Sequence, residues 1–511
     1  MSEVPTVHYA PAERSTTWMN WRYGQWAIVL SGTAVLGLAG VLARTTPLPI
    51  GPLLAIGLTA FVGALVLARR PIRGEYLDEL VPLYVRRLLR RSRGELESRN
   101  PLPLVGTTGD GFDAVELHAG APATLQGLRF LAALDNRGRL FGVVHDTACD
   151  GYSAVMRIEG QNSVLADGAE LESVTQVWGQ ILASLGTSSS SVRRLQLVEV
   201  AAPDLDGTEL FRYYSQRATG NHNGVADASY RQLLAQAGPT STVHETFLSL
   251  QISPDRMRRS GRRAPGRDAA MAKQLVAEMT QFARVLHRYG IQVVDPLLGP
   301  RDLARAIRYA YDPGARIDVA RRDDKVDQES LGVSLHAAWP LSTDHRDPHV
   351  YRTDSAYHAT FWVEAWPQRP VAATFLQPLL LNARATRRFC VVFNPLTKAG
   401  ELQAAQERMV LSESGEQLRR EKQFMTTEQT ARRDESTRQL VQEIADHEAP
   451  FTYSGWVAVS SPSVDQLTED CDEVLDAASE SFLELRRMHG VHDVTFTYLL
   501  PGVCRGLRGW T

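Results

Sequence analysis

Two uncharged apolar runs dominate the start of the chain, Trp26 to Ala43 and Ile50 to Ala68. Each has roughly the ~20 residues that an α-helix needs to cross a ~30 Å hydrocarbon core. Only Arg44-Thr-Thr-Pro-Leu-Pro49 separates them, so the outer ends of the pair are expected on one side of a membrane. Arg14 and Arg22 precede the first run, and Arg69, Arg70, Arg73, Arg86, Arg87, Arg90, Arg91 and Arg93 follow the second. The positive-inside bias makes that side the cytoplasm. The pattern predicts a surface tail over 1–25, a two-helix transmembrane hairpin over 26–70 in the plasma membrane, cytoplasmic termini, and a cytoplasmic body beyond. A signal peptide has one apolar region and a small-residue cleavage site, whereas a second run follows here at once. A buried helical pair inside a soluble domain is the other reading. Gly32, Gly37, Gly40, Gly57 and Gly63 fit close helix packing in lipid.

Over 71–100 the apolar period becomes helical. Leu77, Leu80, Val81, Tyr84, Val85, Leu88 and Leu89 recur at that spacing with Arg86, Arg87, Arg90, Arg91 and Arg93 between and beyond them, which predicts an amphipathic helix at anionic headgroups or on a domain surface. Pro82 sets the expected start of its regular part. Over 101–150 the period falls to two, at Asp113 to His118, Leu128 to Leu134 and Leu140 to His145 with an Asp135-Asn-Arg-Gly138 turn, and a small β-rich module is expected.

Strands and helices then alternate. Strands are predicted at Tyr152–Glu159, Arg193–Ala201, Glu245–Ile252 and Ile291–Asp295, helices at Ala169–Leu185, Thr208–Arg217, Ala228–Ala237 and Ala269–Tyr289. The order returns with strands at Tyr357–Ala365, Arg387–Asn394, Thr452–Ser460 and Val494–Leu499, and helices at Ala372–Asn382, Ala399–His447 and Val464–His489. YSAVMRIEG from Tyr152 answers YHATFWVEA from Tyr357, and the eight-residue spacing from Phe282 to Gly290 recurs from Phe482 to Gly490. The fold class read from this is α+β, with two related ferredoxin-like domains over 151–312 and 353–511, each carrying a helical insertion, about a polar linker over 313–352.

With 511 residues and 44% of them apolar, there is material for more than one core. Net charge of −3 selects no partner. Cys149, Cys390, Cys471 and Cys504 lack paired spacing and read as reduced thiols. No Gly-Lys pair occurs in the chain, so the lysine-bearing loop that cradles phosphate is missing, as are GxGxxG, GxSxG and HExxH. Neither a catalytic residue nor a cofactor or metal is expected. His145, Asp146, Cys149 and Asp150 lie together in a turn, His345, His349 and His358 are near neighbours in the chain, and Asp204-Leu-Asp-Gly207 matches part of a calcium loop. A turn, solvated histidines and a helix lead-in are the expected readings. The run from Arg256 to Arg267, with Arg258, Arg259, Arg262 and Arg263, suits an acidic protein, lipid or nucleic acid.

Arg22-Tyr-Gly before the hairpin, Gly138-Arg-Leu-Phe-Gly-Val-Val-His145, Ala310-Tyr-Asp-Pro313 and Leu499-Leu-Pro-Gly502 give the chain a family likeness. It resembles actinobacterial membrane proteins of type IV secretion or conjugation-like systems, in which a PrgI-type two-span subunit is fused to the non-motor half of a TraC/VirB-type ATPase. The resemblance implies a non-enzymatic inner-membrane platform, oligomeric, that recruits a separate ATPase and other membrane subunits. No functional residue is carried over, since the motor motifs have no counterpart here. A type VII secretion subunit and a membrane-tethered enzyme are the alternatives.

Overall fold

The computed structural model describes residues 6–7, 23–45, 50–69, 77–99, 115–116, 122–159, 177–182, 184–186, 190–204, 210–211, 214–215, 218, 224–237, 241–256, 267–323, 331–367, 371–372, 374–381, 385–395 and 451–506. The chain forms two compact units, one of Met1–Pro11 with Glu97–Leu507 and the other of Ala12–Leu96 with Arg508–Thr511.

The smaller unit holds α1 (Tyr23–Thr45), α2 (Ile50–Arg69) and α3 (Leu77–Ser92). Over Gln25–Leu42, α1 is long and apolar enough to cross a membrane, with a mean hydropathy of 1.7. It meets α2 in antiparallel order, Gly32 at Ala64 and Gly57 at Ala39 and Leu36. A Cβ built on Gly32 falls 2.6 Å from that of Ala64, and one on Gly57 falls 2.9 Å from that of Ala39. Those two glycines therefore set the closest approach of the backbones. The third helix starts five residues before Pro82 rather than at it. Proline's fixed φ is a helical φ, so the helix runs through with one backbone hydrogen bond fewer.

In chain order the strands of the larger unit are β1 (Thr6–Val7), β2 (Glu97–Arg99), β3 (Val115–Glu116), β4 (Leu128–Leu134), β5 (Leu140–Asp146), β6 (Gly151–Glu159), β7 (Val192–Pro203), β8 (Thr242–Ile252), β9 (Gln292–Asp295), β10 (Ser342–Asp344), β11 (Tyr351–Arg352), β12 (Tyr357–Ala365), β13 (Val371–Ala372), β14 (Thr386–Pro395), β15 (Phe451–Ser461) and β16 (Glu484–Arg487). Its helices include α4 (Val225–Ala237), α5 (Arg267–Arg288), α6 (Pro300–Tyr311), α7 (Ala315–Asp323), α8 (Gln377–Leu381), α9 (Val464–Glu480) and α10 (His492–Phe496).

Among the described residues, 14 of these strands make one sheet along the path β2-β10-β11-β12-β15-β14-β7-β8-β6-β5-β4-β3, with β16 beside β12 and β9 beside β6. Two runs within it, β9-β6-β8-β7 and β16-β12-β15-β14, have the same strand order, and β7 joins β14 antiparallel from Leu195↔Phe393 to Ala201↔Arg387. Tyr152 and Tyr357 open equivalent inner strands, opposite Ile252 and Ser461 respectively. The small β module extends this sheet through β5 and β6, where His145 faces Tyr152.

Alternation gives the sheet two different faces. On one, Ala154, Met156, Leu248, Leu250 and Leu195 pack with Met271, Leu275, Met279 and Phe282 of α5. Further along the same face, Phe361, Val363, Phe389, Val391 and Val457 pack with Leu467, Cys471 and Val474 of α9, and Phe393 touches both clusters. Val144, Val155, Gln196, Cys390 and Trp456 belong to the opposite face.

The end of the second run departs from the sequence reading. The helix expected to reach His489 stops at Glu480, and β16 follows. Leu483 N donates to Ala478 O at 2.9 Å, just as Ile291 N donates to Leu286 O at 3.0 Å after α5. Phe482, with φ 54°, therefore occupies the place of Gly290, with φ 79°; Gly490 is not its counterpart. The strand expected at Val494–Leu499 is helical instead. Short apolar runs carry too little periodicity to separate the two states, and pairing with β12 decides them. The helix expected over Ala372–Asn382 shortens to α8 after β13. The stretch read as an irregular linker contains α7, β10 and β11. Thr6 and Val7, read as part of a surface tail, pair with Ala372 and Val371, supplying backbone partners to a short strand.

Candidate functional site

Gln196, Ser153, Ser249 and Arg194 are polar residues at buried positions of central strands. A chain segment, Tyr498 to Arg505, lies across them. Gln196 Nε2 donates to Tyr498 O at 2.9 Å and Leu500 O at 3.1 Å, while Gly502 N donates to Gln196 Oε1 at 3.1 Å and Ser249 Oγ at 3.0 Å. Ser153 Oγ donates to Gly502 O, and Arg194 Nη1 donates to Cys504 O at 2.7 Å. Gly502 has φ 85°, and a Cβ on it would lie 3.0 Å from Val144, so both conformation and space call for glycine. The segment spans the seam, because Cys390 Sγ of β14 donates to Tyr498 O at 3.3 Å. Burial is the largest influence on the Cys390 thiol and pushes it up to about 12, so it packs as a neutral group.

The segment ends in an ion pair. Arg505 Nε and Nη2 hold Asp146 at 2.7 and 2.9 Å. Burial raises the Asp146 carboxyl most, but Arg505 together with hydrogen bonds from Ala148 N and Cys149 keeps the group below its ordinary range. Asp150 pairs with Arg267, and His145 Nε2 lies 3.3 Å from the Asp150 carboxylate while its ring stacks on Tyr152 at 4.0 Å. Burial raises the Cys149 thiol above its ordinary value, and Asp146 adds to this, the opposite of nucleophile activation. His145, Asp146 and Asp150 are thus engaged in holding the chain together. The Asp204 carboxylate accepts from Leu210 N at 3.0 Å; the rest of the Asp204–Gly207 motif lies outside the described residues.

The predicted histidines separate into different roles. His358, fully buried, lies 2.7 Å from both Thr353 Oγ1 and Ser460 Oγ. Burial, assisted by Arg388, pulls it down to about 3. His345 lies 3.5 Å from Asp493, and His349 Nδ1 is 3.0 Å from His489 Nδ1. Contrary to the reading of solvated side chains, His345 is buried. His489 and His492, not among the histidines singled out from the sequence, complete a chain of ring contacts from His349 to His345. Among the described residues no three His, Cys, Asp or Glu groups are placed to hold a metal ion.

A pocket of about 580 Å³ opens at the end of the seam beside α7. Its polar walls are engaged: Asp470 accepts from Gln466 at 2.9 Å and from Ser461 at 2.5 Å, Ser460 meets His358, and Arg316 pairs with Glu245.

Of the basic residues singled out from the sequence, α3 brings together Arg86 and Arg91, which are exposed, and Arg87 and Arg90, which are half-buried. Arg90 reaches Glu95 at 3.6 Å. Arg256 closes a short 3₁₀ turn, while Arg258, Arg259, Arg262, Arg263 and the Ala399–His447 stretch lie outside the described residues. Sequence reasoning missed Gln196, although a glutamine inside the apolar Leu195–Val200 strand is a signal that something polar crosses that face. No protein-family model and no curated protein matches this chain.

Proposed function

We propose that the protein is a non-catalytic, membrane-anchored platform of a type IV secretion or conjugation-like apparatus, holding a separate ATPase at the cytoplasmic face. The observation that carries this is the meeting of three far-separated segments on which the family resemblance rests. Leu303 of α6, the helix that ends at the Ala310-Tyr-Asp-Pro313 segment, packs on Gly142 of β5, and Gly502 packs on Val144 of the same strand. Tyr311 contacts Phe496 just before the closing segment, with ring centroids 5.1 Å apart. On this reading the two runs of common strand order are two ferredoxin-like modules fused edge to edge, and the closing segment staples the seam.

Anchoring by two spans has separate support. Thr6–Val7 precede α1, Val371–Ala372 come long after α2, and the two are paired strands. Paired strands share one side of a membrane, which supports an even number of crossings between them: a crossing α1 fits with a returning α2. A stable complex with an ATPase calls for on the order of 1,200–2,000 Å² of buried surface. The test is capture of a purified conjugation-type ATPase by the full chain in lipid nanodiscs. Co-elution with no nucleotide turnover by the platform alone is expected. Turnover that persists after any co-purifying ATPase is removed, or failure to bind, rejects the reading.

A further inference from the structure

Tyr84, Val85, Leu88 and Leu89 of α3 are 68%, 48%, 54% and 51% exposed. At 3.6 residues per turn they occupy one arc of about 140°. Arg91 flanks that arc on one side and Arg86 on the other, and Arg93 follows directly after the helix end, all three exposed, with Arg93 3.7 Å from Glu95. Arg87 and Arg90, on the far side of the helix, are half-buried. In the same unit α3 touches both α1 and α2.

An apolar arc edged by guanidinium groups has two sorts of cover, a protein surface or a lipid surface. A second copy of this helix would bring two sets of three exposed arginines, Arg86, Arg91 and Arg93, face to face, and like charges oppose that contact. Anionic headgroups remove the conflict, since the stems lie along the apolar boundary while the charged ends reach phosphate. Covalent continuity with α1 and α2 holds the helix near such a surface.

We propose that α3 lies in the plane of an anionic lipid surface, with Tyr84, Val85, Leu88 and Leu89 in the acyl boundary and Arg86, Arg91 and Arg93 on the phosphates. The inference rests on the membrane anchor proposed above, and the test separates the two. An environment-sensitive fluorescent amino acid is placed at Leu88, or at Leu38 of α1, in the full chain. Each variant is reconstituted in phosphatidylcholine nanodiscs with and without phosphatidylglycerol, and shallow nitroxide lipid is the quencher. The Leu88 probe should shift to shorter wavelength and be quenched in the anionic discs. Replacing Arg86, Arg91 and Arg93 together by Gln should weaken that partition on the order of a hundredfold, at about fivefold per arginine. A Leu88 probe that stays water-exposed in anionic discs overturns the inference. So does a probe shielded equally without anionic lipid and only as protein concentration rises, which would mark contact with a second copy. The Leu38 probe reports the anchor independently: its quenching by deep nitroxide lipid in both discs keeps that reading whatever Leu88 does.

Discussion

Gln196 has the most consequential side chain in the seam, since one amide satisfies two carbonyls and one backbone N–H of the closing segment. Leucine at this position would fill similar space but remove three hydrogen bonds, leaving Gly502 N to Ser249, Tyr498 O to Cys390 and Leu500 O to Val503 N. Each lost bond is worth about 1 kcal/mol net, so Gln196→Leu should destabilise the protein by about 2–3 kcal/mol in denaturant unfolding, whereas a surface Gln→Leu control should not. His358 and His492 make stability depend on pH. Burial holds His358 at about 3 and His492 well below its ordinary 6.5, while the unfolded chain protonates both near 6.5. With folded values depressed, the unfolded state binds more protons as pH falls. Stability is thus fully present above about 6.5 and is lost below it, by about 1.4 kcal/mol per pH unit per histidine. Melting temperature measured from pH 7 down to pH 5 should fall, and His358→Gln should reduce the slope by about one proton's share. An unchanged slope in that variant would contradict the assignment.

Local chemistry also decides how the elements end. Gly290 and Phe482 both take a left-handed conformation two residues after a helix, which glycine adopts freely and phenylalanine does not. Phe482 is 49% exposed, so its apolar surface offsets only part of that strain. Phe482→Gly should raise stability by about 1 kcal/mol, read as a higher denaturant midpoint at constant slope. Between α1 and α2 the corresponding constraint is space rather than conformation. Gly32→Leu would force the helices apart at Ala64, and a disulfide engineered between neighbouring positions of the two helices should then form more slowly.

At the scale of the whole molecule, topology is the property most open to test. A cysteine placed at Thr46 should react with an impermeant reagent in intact cells, and a cysteine near Thr511 should not. The paired strands at Thr6–Val7 and Val371–Ala372 add a second expectation: cysteines at Val7 and Val371 should cross-link within one chain under mild oxidation. The continuous sheet has a thermal consequence as well. Because Phe393 joins both apolar clusters and the closing segment spans the seam, its two runs should unfold in one calorimetric transition.

What the sequence determined by itself is what depends on neighbours in the chain. The long apolar run of α1, the helical stripe of α3, the Asp135–Gly138 turn and the alternating strands β4 to β8 all follow from local period and composition. The alternation of strand and helix was also legible up to β15, but the last strand lies at Glu484–Arg487 and not at Val494–Leu499. Tertiary structure alone decided the identity of Glu484–Arg487 as a strand, since pairing with β12 supplied what a four-residue period could not. It decided, too, that Asp146 finds Arg505 and that Gln196 finds Tyr498, Leu500 and Gly502. Those groups are hundreds of residues apart, and only the fold that desolvates them makes their pairing necessary.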